Sequence, residues 1–341
     1  MSRGRRVAKI AGGGLGAAAG LSITAFAGLA GVMWGEGKLA KRRIPISTDA
    51  PPTSDGTIWA APGVSAARPP IHIALAGDST AAGYGAHRPR DTPAAQFAIG
   101  ISEVARRPVR ITNVAVVGAE SKDLPPQIDR LLAHPPELVM IMIGANDVTE
   151  LTKPSVAVPH LELAVRRLRA AGAQVVVGTC PDLGTVRPIA QPLRAWVRRL
   201  SRQMAMAQTV AVVQAGGTTV SLGDLLGPIF ASRLEMFAED RFHPSAAGYA
   251  EACRAMLPSA LDALGLRTRA RSASPFTTRR SKTVEKAAAQ AAAHPGSEVR
   301  PTDDRPVTAI RADGTWARLR RRRPRRPMPV LTEAATAVEP R

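Results

Sequence analysis

The stretch Ile71-His-Ile-Ala-Leu-Ala-Gly-Asp-Ser-Thr-Ala-Ala-Gly-Tyr84 decides the fold of this chain of 341 residues. Its first seven residues form an apolar run typical of a buried strand, and the small residues after it favour a tight turn into a helix. Such a turn would place the hydroxyl of Ser79 at the end of a sheet, where ligands bind. A serine in that position becomes a nucleophile when a base lies beside it.

Four further short apolar runs repeat this pattern, with helical patterns between them. The runs lack the alternation of half-exposed strands, which indicates a parallel sheet covered by helices on both faces. We therefore predict an α/β fold, a three-layer α/β/α sandwich with a central parallel sheet of about five strands. The predicted strands are Ile71–Gly77, Val109–Val116, Glu137–Gly144, Gln174–Thr179 and Thr209–Gln214, and the main helices Pro93–Ala105, Leu124–Ala133, Val158–Ala171, Pro192–Ala207 and Ser245–Leu261.

Composition divides the chain into four parts. Residues 1–45 combine a basic start with the uncharged run Ile10–Trp34, which is typical of an export signal or a signal anchor, so cleavage and anchoring both stay open. Residues 46–68 are predicted to be a linker, residues 69–266 the folded domain, and residues 267–341 a disordered arginine-rich tail. These parts predict a protein that is secreted, or anchored in the cytoplasmic membrane with its folded domain outside.

The net charge of +19 belongs to the two ends of the chain. Residues 1–45 carry +7 and residues 267–341 carry +11, whereas residues 46–266 carry only +1. A nearly neutral domain argues against specific nucleic-acid binding. The like-charge block Arg318–Arg326 instead predicts that the tail contacts an anionic membrane or envelope polymer.

The two cysteines, Cys180 and Cys253, are too few for a disulfide scaffold and lack the spacing of metal ligands. We predict that they are small buried residues, and a single disulfide stays open if the domain is exported. The sequence holds no glycine-rich phosphate loop and no cluster of metal ligands, so we predict neither a cofactor nor a metal.

Four short motifs carry the chemistry of the predicted domain. In chain order they are Gly77-Asp78-Ser79, Asn113-Val-Ala-Val-Val-Gly118-Ala119, Gly144-Ala145-Asn146-Asp147, and Asp240-Arg241-Phe242-His243. The order resembles the SGNH (GDSL-type) hydrolase family, which is named after Ser, Gly, Asn and His in four such blocks. The resemblance covers residues 71 to about 262, with Thr80 in place of the usual Leu, and it implies a flavodoxin-like sheet.

Acyl transfer explains why a serine, a histidine and an aspartate are needed together. Ser79 would attack the ester carbonyl, and His243 would take the hydroxyl proton and return it to the leaving alcohol. Asp240 lies three residues before His243, close enough on a turn to accept a hydrogen bond from Nδ1 of the imidazole and fix its tautomer.

An oxyanion hole completes this chemistry. The backbone N–H groups of Ser79 and Gly118 and the side-chain amide of Asn146 are the predicted donors. Glycine at position 118 lets a backbone donor approach the substrate without a Cβ in the way. We assign Asp78 and Asp147 supporting roles, as hydrogen-bond acceptors within their loops.

The resemblance implies a carboxylic ester hydrolase that acts on small-molecule, lipid or glycan esters without a cofactor. We expect an exported serine esterase for short-chain acyl, lipid or cell-envelope glycan esters, with an acyl-serine intermediate. Two alternatives stay open: an acyltransferase that uses the same triad, and a non-enzymatic envelope protein that acts through its polybasic tail.

Overall fold

A single sheet organises the part of the chain that the computed structural model describes, which is residues 35–36, 39, 50–222, 228–266, 284–291 and 298–299. All of these residues belong to one compact unit, Met1–Val307. The strands are β1 (Ile58–Trp59), β2 (Ile71–Gly77), β3 (Val109–Asn113), β4 (Leu138–Met142), β5 (Gln174–Gly178), β6 (Thr218–Val220) and β7 (Glu298–Val299), and their order across the sheet is β1-β3-β2-β4-β5-β6-β7.

The five central strands, β2 to β6, are parallel, which confirms the predicted sheet. The short edge strands β1 and β7 pair antiparallel with β3 and β6. Strand β2 lies between β3 and β4, so the chain reverses its winding direction at this strand. In parallel sheets such a reversal opens a crevice at the carboxyl ends of the strands, and Ser79 and Asn146 directly follow β2 and β4 at that edge.

Helices cover both faces of the sheet, as predicted. They are α1 (Ser79–Ala82), α2 (Pro93–Ala105), α3 (Leu124–Leu132), α4 (Ala145–Thr149), α5 (Pro154–Ala170), α6 (Leu193–Gln214), α7 (Pro228–Ser232), α8 (Ala246–Ala263) and α9 (Val284–Ala291). Alternate residues of β2 enter opposite cores: Ile73 packs with α2 and α8, and Ala74 packs with α3, α5 and α6. Because helices cover both faces of the sheet, the sequence of β2 is a continuous apolar run.

The predicted strand Thr209–Gln214 is wrong, because this segment forms the last turns of α6. The β-branched run favoured a strand, but it continues the helical pattern of buried positions, with Val212 fully buried. Thr209 donates its hydroxyl to the carbonyl of Ala205, one helical turn earlier, at 2.9 Å. The next strand, β6, begins only after Gly217.

The folded unit also extends beyond the predicted bounds of residues 69–266. Within the segment predicted to be a linker, β1 pairs with β3. Within the segment predicted to be a tail, the structure describes α9 and the pairing of β7 with β6. Of the predicted export segment, residues 1–45, the structure describes only residues 35–36 and 39, and the block Arg318–Arg326 lies outside the described residues. Across the described ranges, no helix has the length and apolar character needed to cross a bilayer.

Candidate active site

A sharp turn after β2 presents Ser79 at the carboxyl edge of the sheet. Gly77 ends the strand with φ +129°, and a Cβ on this residue would lie 1.8 Å from the carbonyl oxygen of Met142 on β4. Only glycine allows this backbone approach. Asp78 then caps α1, because its carboxylate accepts the N–H of Thr80 at 2.9 Å. Ser79 is the first residue of the helix, so its own N–H has no acceptor within the helix.

A second turn, Asp240–His243, brings the imidazole to this serine from 164 residues further along the chain. Oδ1 of Asp240 accepts the backbone N–H groups of Phe242 and His243, each at 2.9 Å. Oδ2 of Asp240 lies 2.6 Å from Nδ1 of His243, and Nε2 of the same ring lies 3.0 Å from Oγ of Ser79. Because an ionised carboxylate can only accept, Nδ1 carries the proton and Nε2 is left to accept the hydroxyl proton of the serine.

The two carboxylates of these turns have opposite pKa shifts. Burial alone would raise the pKa of Asp240, but the hydrogen bond from His243 and the two backbone N–H groups outweigh it and lower the pKa. Burial raises the pKa of Asp78 to about 6, and the hydrogen bonds from Thr80 offset only part of that effect. The acceptor beside the imidazole therefore stays ionised to a lower pH than Asp78 does.

Aromatic rings hold the imidazole from two sides. The ring of Tyr84 lies 4.4 Å from that of His243 between centroids, and the ring of Phe242 lies 4.9 Å away in an edge-to-face arrangement. These contacts limit rotation of the imidazole away from Ser79. Phe242 belongs to the motif of the second turn and Tyr84 follows α1, so this clamp forms only when the fold brings the two segments together.

The predicted oxyanion donors lie on neighbouring loops. Asn146 donates one N–H of its side-chain amide to the carbonyl of Ala119 at 2.9 Å, which ties it to the loop that contains Gly118. Gly118 has φ +83°, and a Cβ there would meet no atom within 4 Å, so this side of the loop is open. The second N–H of the amide is a candidate donor for a bound oxyanion.

Asp147 acts as a buried support for the same loops. Its carboxylate accepts the N–H of Ser121 at 3.0 Å and the hydroxyl of Ser121 at 2.9 Å. Burial raises the pKa of Asp147, and the hydrogen bonds from Ser121 oppose the rise. This contact fixes the segment just after Ala119 against the start of α4. Asp78 thus caps α1, and Asp147 joins the start of α4 to the loop after Ala119.

An apolar cavity of about 50 Å³ adjoins Ser79 and His243. One water molecule needs roughly 10–15 Å³, so the cavity has room for about three to five groups of that size. Most of its walls are hydrocarbon, and they come from distant parts of the chain: Met142, Ile143, Leu222, Phe230, Phe237 and Phe242. Sequence reasoning did not assign these residues to a cavity, because they come from a strand, a helix and loops that share no common motif.

The described residues contain no group of three or more His, Cys, Asp or Glu side chains placed to hold a metal. Cys180 and Cys253 are both free and buried, and burial is what the sequence predicted for them. Burial raises the pKa of both thiols, which disfavours their reactive thiolate form.

Comparison of the sequence with known proteins identifies related enzymes. Residues 75–251 match the model of the GDSL-like lipase/acylhydrolase family. The chain is 42% identical to the GDSL-like esterase Rv1075c of Mycobacterium tuberculosis over 249 residues, which is 71% of this chain and 79% of that protein.

Two solved structures are also similar at lower identity. The crystal structure of TesA is 21% identical, with a TM-score of 0.46, and the match covers 57% of this chain and 99% of that one. A catalytic mutant of Axe2, an acetylxylan esterase from Geobacillus stearothermophilus, is 19% identical, with a TM-score of 0.44, and the match covers 58% of this chain and 97% of that one.

Proposed function

This chain belongs to the GDSL-like lipase/acylhydrolase family and is a carboxylic ester hydrolase, and we propose that it cleaves short-chain esters through an acyl-Ser79 intermediate. The observation that carries the proposal is the hydrogen-bonded line from Asp240 through His243 to Oγ of Ser79, with distances of 2.6 and 3.0 Å. This line matches the needs of a serine nucleophile: a base within reach and a carboxylate that orients the base.

In the first half of the reaction, Oγ of Ser79 attacks the ester carbonyl while Nε2 of His243 takes the hydroxyl proton. The negative charge on the carbonyl oxygen is met by the N–H groups of Ser79 and Gly118 and by the free N–H of Asn146. The carbon–oxygen bond to the alcohol then breaks, and the imidazolium returns its proton to the leaving alcohol. In the second half, Nε2 of His243 takes a proton from water as the water attacks the acyl carbon, the bond from that carbon to Oγ of Ser79 breaks, and the imidazolium returns the proton to Oγ as the free acid leaves.

The apolar cavity supports a small acyl group. With room for roughly three to five water-sized groups, it accommodates acyl chains of about two to four carbons. Longer chains would have to extend into solvent or displace side chains such as Phe230. The natural esters that fit this description are acetylated or otherwise short-acylated lipids and glycans of the cell envelope.

The proposed location is outside the cytoplasm. The basic start and the uncharged run Ile10–Trp34 support export, with the run either cleaved or kept as an anchor. The block Arg318–Arg326 supports an added attraction to anionic envelope surfaces.

A fluorophosphonate probe tests the nucleophile directly. We expect the probe to label one residue, Ser79, and the Ser79→Ala variant to lose both labelling and hydrolysis of p-nitrophenyl acetate while its thermal unfolding is unchanged. In a series of p-nitrophenyl esters, kcat/KM should fall once the acyl chain exceeds about four carbons. Labelling of another residue, or near-normal turnover by Ser79→Ala, would exclude this mechanism. Release of acylated alcohol in place of free acid, when an alcohol is added, would indicate a transferase.

A further inference from the structure

The side chain of Gln208 takes the place of one backbone hydrogen bond between β4 and β5. The pairing of these strands begins where the N–H of Gln174 donates to the carbonyl of Glu137 at 2.9 Å, and in a parallel pair such bonds recur every two residues. Six residues further along both strands, the N–H of Cys180 would face the carbonyl of Ile143. Instead, Oε1 of Gln208 accepts the N–H of Cys180 at 2.7 Å, and Nε2 of Gln208 donates to the carbonyl of Ile143 at 2.9 Å.

Gln208 reaches this gap from α6 and is fully buried. Water does not compete for its amide, and a buried N–H or carbonyl that loses its partner is costly. The amide therefore holds the ends of β4 and β5 one side chain apart at the carboxyl edge of the sheet. Ile143 and Thr179, beside this gap, line the cavity next to Ser79.

The same amide packs against Gly144, the first residue of the Gly144-Ala145-Asn146-Asp147 motif. Gly144 has φ +124°, and a Cβ on this residue would lie 2.7 Å from Nε2 of Gln208 and 3.1 Å from Cβ of Cys180. Glycine is required here both by the backbone angle and by the closeness of the amide. Gln208 thus contacts the motif at the peptide that joins Ile143 to Gly144, where the turn into α4 starts.

This peptide sets the position of Asn146. Gly144 is the cap of α4, and its carbonyl accepts the N–H of Val148 at 3.2 Å. Because α4 has only five residues, its direction follows from the turn that starts it. Asn146 is the second residue of this helix, and its side chain is tied to the carbonyl of Ala119 at 2.9 Å. The backbone of Asn146 is therefore held from the side of α6, and its side chain from the loop on the other side.

We propose that Gln208 is a positioning residue for the oxyanion hole. By holding the Ile143 carbonyl and packing on Gly144, it fixes Asn146 where the second N–H of the asparagine amide meets the negative charge on the ester carbonyl. A shift of about 1 Å in such a donor can cost roughly 100-fold in rate. The inference rests on the proposed function, in which Asn146 is an oxyanion donor, and it adds a residue that lies in none of the four motifs.

A second buried glutamine supplies a matched control. Gln127 on α3 has 2% of its surface exposed, and its amide also binds two backbone groups. Its Oε1 accepts the N–H of Gly77 at 2.8 Å, and its Nε2 donates to the carbonyl of Gly77 at 3.1 Å. This amide holds the end of β2, before Ser79, and not the turn before Asn146. Gln127→Leu and Gln208→Leu therefore remove the same chemical group from two different strand ends.

Double-mutant cycles with Asn146→Ala test the proposal in the full chain. The substrate is p-nitrophenyl acetate, whose small acyl group keeps changes in cavity shape from dominating the result. We expect Gln208→Leu to lower kcat by roughly 10- to 100-fold and to change KM by less than about twofold. In the Asn146→Ala background, where the donor is gone, the same substitution should lower kcat by less than about threefold. Gln127→Leu should lower kcat by the same factor in both backgrounds.

A merely structural role would give a different result. Loss of stability alone would act equally with and without Asn146, so equal falls in kcat on Gln208→Leu in the two backgrounds would overturn the proposal. A cycle for Gln127 as strongly coupled as that for Gln208 would also overturn it, because the coupling would not be specific to the turn before Asn146. Thermal unfolding shows that each variant compared is folded.

Gln208→Glu keeps the test decisive if Gln208→Leu fails to fold. A neutral carboxyl has one donor and one acceptor and can make both contacts, whereas a carboxylate cannot donate to the carbonyl of Ile143. Burial favours the neutral form, so kcat relative to the parent should be close to one at pH 5.5 and should fall as the pH rises to 8.5. A ratio that does not change with pH, or a fall of the same size in the Asn146→Ala background, would contradict the positioning role. The ratio to the parent cancels the other titratable groups around this gap, which are the thiol of Cys180 and the carboxylates of Asp78, Asp147 and Asp182.

The same data separate this inference from the proposed function. If Asn146→Ala lowers kcat but the effect of Gln208→Leu is additive with it, only the positioning role is wrong. If Asn146→Ala leaves kcat unchanged, or Ser79→Ala remains active, the proposed mechanism itself is wrong and the positioning role is excluded with it.

Discussion

The turn after β2 places a buried aspartate next to Ser79, the turn before α8 places one against His243, and the two aspartates differ. Asp78 accepts from Thr80 and has its pKa raised to about 6, whereas Asp240 accepts from two backbone N–H groups and an imidazole and has its pKa lowered. Burial acts on both in the same direction. The donors that face each carboxylate decide which one is the working anion of the site.

The largest expected effect comes from removing the working anion. Asp240→Asn replaces the acceptor for Nδ1 with an amide, which can present an N–H to the ring and favour the wrong tautomer. We expect kcat for p-nitrophenyl acetate to fall by about 10³- to 10⁴-fold. Steady-state kinetics at neutral pH measure this, with circular dichroism as the check on folding. A loss of less than tenfold in a folded variant would mean that the two aspartates are not distinguished by function.

The other aspartate should affect stability more than catalysis. Because the pKa of Asp78 rises from 3.8 to about 6, the folded state holds this proton more tightly than the unfolded state does. The stability from this group is fully present below pH 4 and is lost as the pH rises through 6, by about 3 kcal/mol in total. Asp78→Asn removes this dependence and can still accept the N–H of Thr80.

Urea unfolding at pH 4.5, 5.5 and 7 measures the difference. The free energy of unfolding of Asp78→Asn relative to the parent should increase with pH over this range. If the free energies of unfolding of the parent and Asp78→Asn change with pH in parallel, Asp78 does not titrate as described. Asp240 contributes to stability with the opposite pH dependence. Because its pKa is lowered by folding, its contribution is present above the unfolded pKa and is lost on acidification.

The smallest expected effect comes from Phe242, a residue of the second turn whose ring contacts His243 and lines the cavity. Phe242→Ala keeps the backbone N–H that Asp240 accepts but removes one of the two rings against His243. An aromatic pair contributes about 0.5–1.5 kcal/mol, so kcat should fall by roughly two- to tenfold. Phe242→Leu serves as the control, because it keeps most of the apolar bulk. Equal kcat for the parent and both variants would show that the ring does not position the imidazole.

The contrast between these turns also explains how much the sequence could predict. Gly77, Ser79, Asp240 and His243 stand in short motifs whose spacing is set by local geometry, so both turns were identified without the structure. The signs of the two pKa shifts could not be predicted from the sequence, because they depend on the hydrogen-bond donors that the fold brings to each carboxylate. Phe230 and Leu222, which line the cavity, stand in no local sequence pattern either.

The errors in the fold have a similar cause. Thr209–Gln214 has β-branched residues that favour a strand, and only its burial against β4 and β5 in the folded unit makes it helical. Strands β1 and β7 are two residues long, too short for a periodic signal, and each exists because a longer strand beside it offers hydrogen bonds. Tertiary context decides such segments.

The distance in sequence between Ser79 and His243 has a consequence for the life of the chain. The nucleophile is made early in synthesis and its base about 160 residues later. Any nascent or truncated product that stops short of position 243 is chemically inert, however well its first strands are formed. Ester cleavage therefore requires that synthesis has passed residue 243 and that the turn before α8 has folded against Ser79.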